Sequence, residues 1–283
     1  MTGFELAPIA FGLTSAACWG AGDFCGGFAT KSTQVYRVII SSQIVSLILL
    51  VALALLLREP LLLPGALLLS GLAGIFGAIG LIALYRALAD GHMGIAAPVS
   101  GVIAAAVPVI AGAFIEGLPE LPQLIGFGLA LAAVWLISRT GHAAIHWRDL
   151  GLPAFGGLCF GIFYVIIGSA SGSNVWWPLV GARVGSLSLM WGVTQLTRQP
   201  RFVERTHLAL IVIIGVLEVG GNACYILARQ AGRLDVAAVL ASLYPAATIL
   251  LARLILKERV GRTQAMGIVA ALAAIALITL KLG

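Results

Sequence analysis

The chain has 283 residues, of which 60% are hydrophobic and only 10% charged, with a formal net charge of +6. Soluble domains carry about 25% charged residues, and a soluble fold of this composition would expose apolar patches large enough to aggregate. The numbers exclude a soluble globular domain and make lipid the solvent for most of the chain. The surplus Lys and Arg are scattered among joints rather than gathered into a stripe, which excludes a nucleic-acid footprint.

A spanning helix needs roughly 20 apolar residues, so a chain of this length with short loops has room for about ten. The predicted spans are 6–28, 34–57, 64–89, 93–115, 121–139, 150–170, 175–196, 208–230, 234–256 and 262–281. Breaker-rich stretches such as "REPLLLPG", "GLPELPQ", "SASGSN" and "RQPRFVER" mark the joints. The leading "MTGFE" lacks the positive region of a cleaved signal, so the first helix is expected to be retained.

The first helix carries "CWGAGDFCGG", in which glycines allow close helix approach around Trp19 and Asp23. The third holds "GLAGIFGAIG", a packing surface rather than a phosphate loop, followed by Tyr85 and Arg86. Pro98 and Pro108 lie in the fourth, and "LIGFGLALAAVWLIS" of the fifth suits the periphery. The sixth adds Phe160, Phe163 and Tyr164. The seventh opens on Trp176 and Trp177, which fit an interfacial belt, and then buries Arg183. The eighth contains Glu218, Asn222 and Tyr225, and the ninth the Tyr244–Pro245 step. "MGIVAALAAIALITL" of the tenth is as plain as the fifth.

A charge at mid-bilayer costs roughly 2.5–3.5 kcal/mol on insertion scales, so Asp23, Arg183 and Glu218 are expected to face a cavity or a partner. At about 1.5 Å per residue, Arg183 lies ~13 Å and Glu218 ~18 Å from the same membrane face, within reach of one another. The sequence therefore predicts an Arg183–Glu218 pair, either locking two helices or facing substrate. Asp23 reads either as a carboxylate near a helix end or as a cavity acid that meets a cation or a proton. Trp19, Tyr85, Phe160, Tyr164, Tyr225 and Tyr244 are candidate aromatic lining, with interhelical packing the plain alternative. A proline inside a span frees a backbone carbonyl, tolerated only against protein or a water-filled cavity; Pro98 and Pro245 are candidate structural or gating positions.

Cys18, Cys25, Cys159 and Cys224 fall in spans without metal-ligand spacing and read as small apolar residues rather than disulfide partners. His142 and His146 stand four apart with no third ligand nearby. No nucleophile elbow, P-loop or dinucleotide fingerprint occurs, so the expectation is no enzyme, no cofactor and no metal site.

The chain also meets itself when shifted by about 141 residues: Cys18 falls on Cys159, Gly20 on Gly161, Gly91 on Gly232, Gln123 on Gln264 and Gly126 on Gly267. A shift of 140 superposes "VY" at 35 on "VW" at 175 and "SL" at 46 on "SL" at 186. The predicted units are residues 1–141 and 142–283, each of five helices. An odd helix count inverts the second copy in the membrane, a recurrent plan of secondary transporters. The acidic joint "GLPELPQ" against its basic counterpart "KERVGR" agrees with placement on opposite faces.

The stretch "ARQAGRLDVAAVLASLYPAATILLARLILKERVGRTQAMGIV" resembles the second EamA repeat of the drug/metabolite transporter superfamily. A Gly-containing turn, a helix with an internal proline, a closing glutamate, then Gln and Gly opening the next helix fall on Gly232, Pro245, Glu258, Gln264 and Gly267. The first repeat, ending in "IEGLPELPQLIG", departs further from the pattern. The resemblance implies an all-α integral membrane protein with ten transmembrane helices, two inverted five-helix repeats and a central cavity. It implies a multi-pass exporter in the inner membrane. Small amphipathic metabolites such as amino acids, aromatic ones included, are the first choice of substrate. Cationic drugs are a further choice, with protons as a coupling ion. Alternatives are a channel-like passive facilitator and a nucleotide-sugar or sugar-phosphate transporter, the latter wanting several cavity cations that the spans lack. The charge count, eleven Lys and Arg at odd joints against four at even joints and the C-terminal end, favours both termini outside, whereas the resemblance implies both inside.

Overall fold

The computed structural model describes residues 6–89, 93–138, 147–200, 202–256 and 262–279. Among these, regular structure is helical throughout. The helices are α1 (Ala7–Thr30), α2 (Val35–Leu56), α3 (Pro64–Ala89), α4 (Met93–Ile115), α5 (Leu121–Ser138) and α6 (Trp147–Ala170). They continue as α7 (Trp176–Thr197), α8 (Leu208–Ala231), α9 (Leu234–Ala241), α10 (Tyr244–Leu256) and α11 (Arg262–Thr279), with a short 3₁₀ turn at Arg205–His207. Val35–Leu56, Pro64–Leu88, Leu150–Ala170 and Leu208–Ala231 are long and apolar enough to cross a membrane. Large apolar side chains point outward, Phe114 at 88% exposure and Leu196 at 87%, as only a chain solvated by lipid tolerates.

The ninth predicted span is two helices, not one. The chain breaks at Ser242 and Leu243, directly before the Tyr244–Pro245 step. Proline disfavours helical geometry in the residue before it and offers no N–H, so it sits in the first turn of α10, where that donor is not needed. The Ser242 hydroxyl donates to the Val239 carbonyl at 2.8 Å, and Leu243 N–H to Leu240 at 3.3 Å, which covers the end of α9. Gly101 of α4 receives the break: a Cβ there would lie 3.1 Å from Pro245 Cγ and from the Ser242 carbonyl.

Contacts repeat with the halves exchanged. α1 packs on α8 and α6 on α3; α4 lies on α6 and α1 on α9 and α10. A Cβ on Gly80 would meet the Phe160 ring at 2.7 Å, and one on Gly221 would clash with Trp19, the residue 141 positions before Phe160. Gly74 abuts the Ala182 carbonyl, and Gly215 abuts the Ser42 carbonyl, with a Cβ 2.9 Å away. The ends of α2 and α7 match as well: Arg58 and Arg198 both cap in the left-handed region, at φ 52° and 51°. α5 and α11 pack on each other at the side of the bundle.

One end of the bundle is tied by polar groups. The Glu59 carboxylate, in the α2–α3 joint, accepts from Val175 N–H at 2.6 Å, Trp176 N–H at 2.9 Å and Trp177 N–H at 2.8 Å, capping α7 from another joint. Gln230 donates to the carbonyls of Gly172 and Asn174, both at 3.0 Å. Glu116, after α4, pairs with Arg229 at 2.8 Å and accepts the Leu234 N–H at 3.0 Å. Arg233 binds buried Asp235 at 2.8 Å and donates to the Gly117 carbonyl at 2.8 Å; bonding to Asp235 raises its already high pKa. Pro8, starting α1, packs against Gly232 at this end, whereas α6 arrives here with its last residues. The repeat-related helices α1 and α6 therefore run in opposite directions. At the other end, Ser32 and His207 meet at 3.1 Å.

Candidate functional site

Between the two halves lies a cavity of about 660 Å³ of empty space, its mouth included. α1 gives it Trp19, Gly22 and Asp23; α2 gives Gln43; α3 gives Gly74, Gly77, Ala78 and Leu81. From the second half come Phe160, Phe163 and Tyr164 of α6, Ala182 and Arg183 of α7, Glu218 and Asn222 of α8, and Tyr244 of α10. Glycines and alanines on α3 and α1 keep the walls thin enough for this space to exist between close-packed helices.

The aromatic wall is a stack. Trp19 and Tyr164 lie ring on ring, centroids 5.3 Å apart and 11° from parallel. Phe163 meets Tyr164 edge-on at 5.8 Å. Offset and edge arrangements of this kind are the favourable ones for aromatic quadrupoles. Tyr225 stands behind the wall, fully buried. Its ring is 4.9 Å from that of Tyr164, and its hydroxyl donates to the Tyr164 carbonyl at 3.0 Å. Tyr85 is also outside the cavity, buried against Gly26 of α1. The sequence names all these rings as candidate lining, but Tyr85 and Tyr225 pack outside the cavity, because the layer each ring occupies depends on helix rotation, which spacing alone does not set. Pro245 packs on Gly101 rather than on the cavity, and its neighbour Tyr244 supplies the lining. The Pro98 side chain, His142, His146 and Glu258 lie outside what is described.

Arg183 Nη2 and Glu218 Oε2 are 3.2 Å apart, their side chains 11% and 10% exposed. The pair expected from their depths forms. Asn222 donates to the Glu218 carbonyl at 2.6 Å, which fixes its amide and leaves its side-chain oxygen for the cavity. Among the described residues no cation is paired with Asp23. The charged lining side chains are thus two carboxylates and one guanidinium, with the guanidinium already engaged. No three His, Cys, Asp or Glu side chains cluster among the described residues, and the four cysteines are free.

Gln43 escapes sequence reasoning, and the small residues of α3, read there as a packing surface, also line the cavity. Gln43 is a single amide in "ISSQIVS", where hydroxyls beside it read as ordinary interhelical polar contacts. The signal that finds it is the shift of 140, which superposes Gln43 on Arg183.

No curated protein matches the chain. A solved crystal structure, described only as "Crystal structure of protein", superposes with a TM-score of 0.76 at 14% identity over 95% of this chain and 95% of that one, a likeness of fold. The sequence model of the EamA-like transporter family matches residues 6–139 and again residues 151–280. With an apolar all-helical bundle, a repeated family match and a cavity between the halves, the chain belongs to the EamA-like transporter family and is a membrane transporter of small molecules.

Proposed function

We propose that the chain is a secondary transporter of the inner membrane that exports small amphipathic metabolites by alternating access. Amino acids, aromatic ones included, are its first substrates and cationic drugs its second, with protons as the coupling ion. In this reading ten spanning segments, the broken α9–α10 pair counting as one, form two inverted repeats, 1–141 and 142–283. Substrate occupies the cavity between them, with Trp19, Asp23, Phe160, Tyr164, Glu218, Asn222 and Tyr244 in contact and Tyr85 and Tyr225 supporting from behind.

The observation that carries the reading is Asp23, a carboxylate without a cation partner among the described residues, facing the same space as a stacked aromatic wall. An amine finds charge at Asp23 and a cation–π surface at Trp19 and Tyr164, while an apolar ring finds stacking partners. A carboxylate this deep in lipid also has to be neutralised, by a substrate cation or by a proton, and that exchange is what couples the two. The Arg183–Glu218 pair fits either a lock between α7 and α8 or a contact for the substrate's own charges.

Purified protein in liposomes, given an imposed proton gradient and a panel of radiolabelled amino acids and cationic dyes, tests this. Accumulation against a gradient is expected for at least one aromatic amine or amino acid. Flux that only equilibrates would make the protein a passive facilitator instead. Removing one aromatic partner should cost roughly 0.5–1.5 kcal/mol, so Trp19→Ala and Tyr244→Ala should weaken apparent affinity for aromatic substrates several-fold and for small aliphatic ones less.

A further inference from the structure

Gln43 is buried to 1% exposure and lines the cavity. Its side-chain oxygen accepts a hydrogen bond from the Ser186 hydroxyl of α7, which fixes the amide plane. Its amide nitrogen has no partner among the described residues. A buried donor without an acceptor is costly, and natural proteins keep one where something else arrives to satisfy it.

The repeat relation says what is missing. The shift of 140 that relates α2 to α7 puts Gln43 on Arg183, and the shift of 141 that relates α3 to α8 puts Gly77 on Glu218. Both relations hold in space, since Gly74 at the Ala182 carbonyl mirrors Gly215 at the Ser42 carbonyl. In the second half, the donor Arg183 is answered by Glu218 at 3.2 Å. In the first half, the donor equivalent to Arg183 is Gln43, the position equivalent to Glu218 is Gly77, and a glycine offers no side-chain acceptor. Both Gln43 and Gly77 line the cavity, and the nearest atoms to a Cβ on Gly77 would be those of the Phe163 ring, from 3.4 Å.

We propose that Gln43 is a specificity-determining residue of the transport site: its amide N–H donates to an oxygen acceptor of the substrate, carbonyl or carboxylate, seated over Gly77 where the other half carries the Glu218 carboxylate. This rests on the cavity being the transport site and deepens that reading. The substrate is then an amine, held at Asp23, that also carries a carbonyl-type oxygen, rather than an amine alone.

Two probes differing in that oxygen decide the matter, phenylalaninamide and phenethylamine. Each is measured by competition binding to the full purified chain and by flux into liposomes. Wild type should favour phenylalaninamide by roughly 3- to 10-fold, the range of one net hydrogen bond. Gln43→Met keeps length but has no donor, and should bring the ratio near one by a loss that falls mainly on phenylalaninamide. Gly77→Ala, whose methyl reaches only van der Waals contact with Phe163, should narrow the ratio in the same direction; it keeps the test open if Gln43→Met fails to fold. Binding and flux of both probes with a wild-type ratio near one would overturn the proposal and leave the transporter reading standing. Equal losses on both probes in Gln43→Met and Gly77→Ala would make Gln43 a packing residue. If wild type neither binds nor moves either probe, the transport site itself is wrong and the proposal falls with it.

Discussion

A buried charge is worth what its partner makes it. Arg183 and Glu218 are each about one-tenth exposed, so removing one leaves the other without compensation. Breaking such a pair costs on the order of 3–5 kcal/mol, whereas removing both together is often close to neutral. Arg183→Met should therefore destabilise the purified protein more than the double variant Arg183→Met with Glu218→Gln, in denaturant titrations in mixed micelles. Additive losses would mean that water in the cavity already screens the two groups. If Glu218→Gln is stable and transports normally, the glutamate has no part in transport. A second residue-scale prediction concerns the left-handed caps. Arg58 and Arg198 hold φ near +50°, a region that costs an L-residue roughly 1–2 kcal/mol and a glycine almost nothing. Arg58→Gly should raise stability by about 0.5–1 kcal/mol in the same titration, and a fall would mean that the guanidinium makes a needed headgroup contact. Both caps precede a shared pattern, "REP" at 58–60 and "RQP" at 198–200, so the turn is written in the sequence once the repeat is known. The charged part of the site was legible in the same way: ionisable residues are so rare in the spans that Asp23, Arg183 and Glu218 identify themselves. Gln43 was not, because an uncharged amide is cheap enough in a span to be common glue.

Helices in this bundle meet where glycines let them. Gly74 lies so close to the Ala182 carbonyl, and Gly185 to the Gly71 carbonyl, that any side chain there would push α3 and α7 apart. Backbone atoms have nowhere to go, so Gly185→Ala should cost about 1–3 kcal/mol or more from overpacking, while Gly192→Ala, two turns further on α7 with nothing within 4 Å, should be harmless. Equal yields and equal unfolding midpoints for the two variants would show that α7 rides more loosely on α3 than these contacts imply. Element identity was readable because long apolar runs allow little else: the predicted spans fall on helices, except that the ninth is split into α9 and α10. The break in the ninth was half readable: Pro245 announces a disturbance, but a kinked continuous helix and two helices share that sequence. The choice is made by Gly101 of α4, which gives the Ser242 carbonyl and the Pro245 ring a place to sit. Nothing within 240–259 carries that information.

At the scale of the whole molecule, alternating access requires that one end be closed while the other admits substrate, and that the closed end later open. The end holding the start of α1 is tied by groups from four joints. Glu59 caps α7, Gln230 holds the α6–α7 turn, and Glu116 and Arg233 bind the α4–α5 joint to the start of α9. Almost every tie links residues far apart in the chain, such as Glu116 with Arg229 and Glu59 with Val175, so opening this end breaks them together rather than one at a time. Two of these ties have guanidinium donors, Arg229 to the Glu116 carboxylate and Arg233 to the Gly117 carbonyl, and charge-assisted bonds are about twice as strong as neutral ones, yet both arginine side chains are more than a quarter exposed, so water can replace their partners. That combination suits a gate: firm when shut, with a modest free-energy difference between shut and open. Glu116 and Arg229 each replaced by cysteine, with Cys18, Cys25, Cys159 and Cys224 replaced by serine or alanine in both the test and the control protein, should be joined by a short thiol-reactive linker. Transport into liposomes is expected to fall below about a tenth of the uncrosslinked rate, because the ion pair sits at the joint that must part. A linker containing a disulfide should restore transport on reduction. Undiminished transport by the crosslinked protein would show that the α4–α5 joint and α8 move as one body, and would shift the gate to the Glu59 cap on α7.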